Sequence, residues 1–172
     1  MRLADLADLN LTYTPQGRTL DGPLPSGYDH LTVERRIGVG SAAYGRGVEA
    51  VMTFGAQRRT GLRPRSTAPR AAVGVDLLSR LGPSPVPCRV VWAVEGPTRS
   101  GFGYGTLEGH VESGEEGFLV ELRGEDVYAV IRAYSVPAHW LTRNAGPVLP
   151  RLQRAAALAY VHALRRAVAE PG

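Results

Sequence analysis

No lysine occurs anywhere in the 172 residues, so all twenty basic side chains are arginine. Schiff-base chemistry and a lysine general base are thereby excluded. The single cysteine, Cys88, can form no intramolecular disulfide and leaves no thiolate cluster for structural zinc or an iron–sulfur centre. A reducing cytoplasm suits such a chain. No stretch of roughly 18 apolar residues offers an integral membrane segment, and the opening MRLADLADLN carries Asp5 and Asp8 where a signal peptide needs an apolar region. The four histidines, His30, His110, His139 and His162, stand far apart in no helical ligand spacing, so neither a metal nor a cofactor is expected.

What is present describes an ordinary globular chain. At 18.4 kDa and 44% hydrophobic residues it fits one domain spanning residues 1–172 with a real core. The sequence pI of about 9.6 and formal charge of +4 invite a nucleic-acid partner. The arginines are scattered, however, and the surplus of Ala, Gly, Pro and Arg matches a GC-rich coding bias. They read as a solvated surface, and no nucleic-acid partner is expected.

Along the chain, residues 1–11 space Leu3, Leu6, Ala7 and Leu9 as a short amphipathic segment, and 14–27 is rich in turn formers and reads as an ordered loop. Tyr28 to Ile37 alternates as a strand. Ser41 then caps a helix carrying Ala43, Val48, Val51, Met52 and Phe54 to about residue 58. Five further strand-like runs follow, at 71–78, 88–95, 101–111, 115–122 and 127–134, separated by Gly, Pro or short acidic turns. Their close spacing predicts an antiparallel meander. The segment 148–169 lacks internal Gly and sets Leu149, Leu152, Ala156, Ala159, Tyr160 and Ala163 opposite Arg151, Arg154 and Arg165, a long amphipathic helix. The expected fold is α+β, a helix-grip in which a curved antiparallel sheet of about six strands wraps round that C-terminal helix.

The densest polar stretch is GFGYGTLEGHVESGEEGF, residues 101–118. On a pleated strand Phe102, Tyr104, Thr106, Glu108 and His110 share one face and Gly101, Gly103, Gly105 and Gly109 the other. The glycine row admits either a close neighbour or strong sheet curvature. It is no nucleotide loop, because a strand and not a helix follows. In the next run Glu116 shares a face with Phe118, Val120 and Leu122. Desolvation there makes it a candidate general acid or base. Tyr128, Val130, Arg132 and Tyr134 share a face in the following run, and a Glu116–Arg132 ion pair across adjacent strands is the plainer structural expectation. Two or more of Glu112, Glu115 and Glu116 are expected to face water. His110, and His139 with Trp140, are expected at the surface or as caps. Cys88, on a face with Val90, Trp92 and Val94, reads as a small buried hydrophobe.

The blocks PCRVVW (87–92), GFGYGTLEGHVESGEEGF and RAYSVPAHW (132–140) resemble the bacterial family called domain of unknown function 1990, or uncharacterised protein family 0548. The likeness runs from about Leu11 through the final helix. Its motif residues here are Tyr104, Gly105, Thr106, Gly109, His110, Glu112, Gly114, Glu115 and Glu116, and Val136 stands where relatives often have arginine. The resemblance implies a relation to START-like and birch-allergen-like helix-grip proteins, which enclose an apolar cavity between sheet and long helix. It implies no activity.

Three functions follow as expectations. The first is binding of a small apolar or amphipathic molecule in the cavity, with Tyr104, Thr106, Phe118, Arg132 and Tyr134 as contacts. The second is a cofactor-independent cyclase, dehydratase or isomerase of a polyketide-like or aromatic metabolite, with Glu116 or His110 moving a proton and Tyr104 orienting an oxygen. The third is an interaction module using the arginine face of the final helix on an acidic partner or a membrane surface. The oligomeric state stays open.

Overall fold

Alternating apolar and polar side chains build the edge strand β1 (Asp29–Val39), in which Val33 and Ile37 turn inward. Gly40, at φ +83°, turns the chain into helix α1 (Gly40–Met52). Val39 and not Ser41 occupies the N-cap position, with no side-chain cap. The expected single helix to residue 58 is broken in two. Phe54 takes a left-handed conformation at φ 60°, fully buried and edge-on to Phe102, and α2 (Gly55–Arg59) starts anew. The two-residue strand β2 (Arg65–Ser66) then opens the far edge of the sheet, followed by β3 (Asp76–Leu81), β4 (Ser84–Glu95), β5 (Arg99–Thr106), β6 (Glu112–Arg123) and β7 (Asp126–Pro137). The last element is α3 (Val148–Ala169). This computed structural model describes residues 1–138 and 148–170, without the side chains at 148–150 and 152. The expectations for His139, Trp140, Leu149 and Leu152 lie outside the described residues.

The sheet runs β1-β7-β6-β5-β4-β3-β2, antiparallel throughout. It therefore has seven strands where about six are expected. A two-residue strand is too short to show an alternation, which is why β2 escapes a reading by period. The chain crosses from one edge to the other through α1 and α2, then returns strand by strand until β7 pairs with β1.

Two layers of side chains cover the sheet. On the concave face Val33, Val90, Phe102, Phe118, Val120 and Ile131 pack against α1, Phe54 and α3. The buried residues of α3 are Ala157, Tyr160, Val161, Ala163, Leu164, Ala167 and Val168 among those described. Of the expected stripe Tyr160 and Ala163 are buried, whereas Ala156 and Ala159 are exposed. The helix is rotated because it meets α1 and α2 as well as β1, and its arginines stay outside. On the convex face Trp92, Leu119 and Val130 pack with Leu20.

The glycine row of β5 and β6 exists for that convex layer. A Cβ on Gly103 would stand 2.2 Å from Trp92 Nε1, and one on Gly105 would stand 2.3 Å from the Tyr13 ring. Contrary to expectation, Trp92 does not share the face of Cys88 and Val90. A bulge between Val90 and Trp92 moves it to the other side, opposite Gly103, while Cys88 stays buried in the concave core. Replacing Gly103 by Ala is expected to cost about 1–3 kcal/mol of stability in urea unfolding through overpacking. Gly45→Ala, in α1 where nothing lies within 4 Å of an added Cβ, is expected to gain about 0.5–1 kcal/mol.

Candidate functional site

Glu115 and Glu116 are neighbours on β6, so the pleat sends one to each face of the sheet. Everything about the site follows from that separation.

On the convex face Glu115 is 2% exposed. One oxygen accepts the hydroxyl of Tyr13 at 2.8 Å and the N–H of Gly17 at 2.6 Å, with the Tyr134 hydroxyl at 3.2 Å. The other accepts the N–H of Thr19 at 2.9 Å, its hydroxyl at 2.6 Å and the indole N–H of Trp92 at 3.3 Å. The carboxylate thus holds the loop of residues 13–22 against the sheet. Burial and the carboxylate push the Tyr13 and Tyr134 phenols far above their ordinary range, so both stay protonated donors.

Arg132 and Tyr134 belong to this convex side. The β6–β7 register pairs Arg132 with Gly117 and Tyr134 with Glu115, while Glu116 faces Ala133. The expected Glu116–Arg132 ion pair is therefore absent, because residues opposite one another in a ladder point the same way and these two are not opposite. The Arg132 guanidinium instead donates to the carbonyls of Gly22 at 2.6 Å and of Thr19 and Leu20, each at 3.4 Å. Tyr134 also donates to the Pro15 carbonyl. Neither residue lines the concave cavity.

That cavity, about 340 Å³, lies between the sheet and α3. Leu31, Val86, Ala133 and Ala156 give it apolar walls, and Tyr104, Glu116, Glu112 and Gln153 are among its polar lining groups. The Tyr104 hydroxyl donates to Glu116 at 2.8 Å. Glu116 sits deep in the protein yet keeps accessible surface, because that surface faces the cavity. Burial pushes its carboxyl up to about 7, aided by nearby Glu112 and opposed by the Tyr104 hydrogen bond. Burial likewise raises Glu112, whose carboxylate accepts the Gln153 amide at 2.7 Å; the same amide donates to Ser135 at 2.9 Å.

The remaining expected site residues divide. Thr106 lines the cavity, but its hydroxyl is engaged by Thr12 at 2.6 Å and by the N–H of Gly114 at 3.0 Å. His110 is 8% exposed, in the wall. Its Nδ1 accepts the N–H of Glu112 at 2.9 Å, a cap within the turn as expected, though buried, and burial pushes its pKa down to about 4. Phe118 belongs to the core, its ring packed at a tilt against Tyr160 with centroids 4.5 Å apart. The expectation that two or more of Glu112, Glu115 and Glu116 face water fails: none is exposed. Ser135, Gln153 and Tyr13 escape a reading by pattern. They come from different elements, and only Glu115, set between Gly114 and Gly117, carries a hint of close packing in its neighbours.

An antiparallel sheet packed on a long C-terminal helix is the helix-grip fold, the fold of birch-allergen-like and START-like proteins. The chain superposes on a hypothetical protein from Helicobacter pylori with a TM-score of 0.64 at 10% identity, covering 91% of this chain and 95% of that one. It also matches a norcoclaurine synthase of Thalictrum, solved as a point mutant in complex with a transition-state analogue, with a TM-score of 0.54 at 12% identity, covering 84% and 97%. In sequence, a UPF0548 protein of Deinococcus radiodurans is 33% identical over 171 residues, 91% of this chain and 86% of that protein. The chain belongs to the domain of unknown function 1990 family, whose model matches residues 12–163.

Glu115→Gln replaces three acceptor contacts by an amide that faces donors, and is expected to lose about 3 kcal/mol or more. Limited trypsin digestion is expected to cut faster at Arg18, in the released loop; an unchanged rate and melting temperature would contradict the latch.

The titration of the cavity gives a second expectation. Glu116 rises from 4.5 to about 7 on folding, so its contribution is present below pH 4.5 and is lost as pH rises through 7. His110 falls from 6.5 to about 4, so its contribution is present above pH 6.5 and is lost as pH falls through 4. Between these limits the two oppose each other. Glu116→Gln abolishes only the first, so in urea unfolding this variant gains stability relative to the parent as pH rises from 4.5 to 7; parallel curves would mean Glu116 does not titrate in a buried site.

Proposed function

We propose that the protein binds a small, mostly apolar molecule with one polar end in the cavity between the sheet and α3. The observation that carries this reading is a largely apolar cavity wall in which a few polar groups are set, among them the Tyr104–Glu116 and Glu112–Gln153 hydrogen-bonded pairs. Ligand sites combine those features: an apolar body for affinity and a few polar groups for orientation. Residues 104, 106, 110, 112 and 116 are the contacts within the motif stretch, and Arg132, Tyr134 and Phe118 are left to the scaffold.

A second reading, proton transfer without a cofactor, is favoured by Glu116 alone. A carboxyl near pH 7 both gives and takes a proton efficiently at neutral pH, and Tyr104 stands beside it to orient an oxygen. His110 has no part in this reading, since its ring is neutral and turned to the backbone of Glu112.

Native mass spectrometry of protein purified from its own host tests both. A retained small molecule is expected on the parent chain and absent from Ala133→Trp, which fills the cavity. No adduct on either, together with no binding of apolar probes, would overturn the binding reading. Under the catalytic reading the Glu116→Gln variant retains a different molecule, the unconverted substrate, told apart from the parent's by mass or, for an isomer, by chromatographic retention of the released compound; the same compound on both chains would leave binding alone.

A further inference from the structure

The charge of the cavity is unusual for this chain. Many of the other carboxylates meet arginine, Glu34 with Arg123 at 2.6 Å, Asp76 with Arg89 at 2.6 Å, Glu95 with Arg70 at 2.6 Å and Glu170 with Arg59 at 2.8 Å, whereas Glu115 is instead saturated by six neutral contacts. Among the described residues lining the cavity there is no arginine, although the chain has twenty. The only basic ring there, His110, is tied through Nδ1 to the Glu112 backbone and held neutral by burial.

Among the described residues Glu116 and Glu112 meet neutral donors, the Tyr104 hydroxyl and the Gln153 amide. Four residues apart on β6, both turn to the concave face. An ionised carboxylate in an apolar, low-dielectric site without a counter-ion is costly, and the cost falls when a cation arrives. A carboxylate ligand would add a like charge to those acids, and a neutral one supplies no counter-charge. The two carboxylates of the wall therefore suit a positive group.

Resting on the binding reading above, we propose that the cavity selects molecules bearing a protonated amine on an apolar body, with the ammonium seated against Glu116 beside Tyr104 and Glu112 adding to the field. The protonation balance is definite. Where Glu116 is a neutral carboxyl before binding, its proton leaves for solvent as the ammonium arrives, and a carboxylate–ammonium pair replaces it. No covalent bond forms or breaks.

Octylamine, octanol and octanoate share one apolar body and differ in the end group, so titration calorimetry at pH 7 with the full chain separates charge from hydrophobicity. Octylamine is expected to bind about tenfold tighter than either of the others, the scale of one charge-assisted hydrogen bond. Repeating the titration in buffers of different ionisation enthalpy is expected to show proton release with octylamine and none with octanol. Glu116→Gln is expected to erase the preference and the proton release while octanol still binds. Equal binding of the three, or a preference for octanoate, overturns the amine inference and leaves the cavity reading intact. Failure of all three to bind overturns both. Proton release by the parent chain needs no variant, so the inference can be tested even if Glu116→Gln folds poorly.

Discussion

One buried carboxylate organises the convex half of the molecule. Glu115 receives six hydrogen-bond contacts from three separate stretches of chain: the loop at Tyr13, Gly17 and Thr19, the bulged strand at Trp92, and β7 at Tyr134. A charge so far from water persists only when its lone pairs are filled, and that need dictates what surrounds it. The glycines at 103, 105 and 117 are its corollary, since any side chain there would collide with Trp92, Thr19 or Tyr13. The bulge that turns Trp92 outward serves the same cluster, supplying an indole N–H where a straight strand would have put it in the core.

The same pleat that buries Glu115 under the loop turns Glu116 into the cavity. Two identical side chains in consecutive positions thereby acquire opposite electrostatics. One has its oxygens filled by hydrogen-bond donors that stand in for water. The other has one neutral partner, a carboxyl raised to about 7, and open space in front of it. The first has the marks of a structural group, rigid and satisfied, and the second those of a group left unfinished for something that enters. This contrast is the reason for placing function on the concave side, and for reading the absence of arginine from its described walls as selectivity.

The architecture was largely legible in the sequence, and the face assignments only in part. Period-two alternation exposed six of seven strands, and the amphipathic stretch at 148–169 announced the gripping helix, because both patterns are local consequences of backbone geometry. The concave placement of Phe102, Tyr104 and Glu116 followed from the same alternation. The bulge at Val91 is invisible in composition, however, and one extra residue reverses every side chain beyond it, which displaced Trp92. The pairing of Glu116 with Arg132 failed for a related reason: alternation tells which residues share a face within a strand, and only the register tells which face of one strand meets which of the next.

The sequence by itself determined the class of fold, the absence of lysine and of thiolate-cluster chemistry, and the segment in which the polar groups would gather. The tertiary structure alone decided that Glu115 is a latch and Glu116 a cavity wall, that Arg132 and Tyr134 serve the latch, and that Gln153 and Ser135 join the site. The physical reason is range. Alternation and amphipathicity are written within a few residues, whereas a carboxylate's charge state depends on which donors and cations, dozens of residues away in the chain, the packing brings within hydrogen-bonding distance.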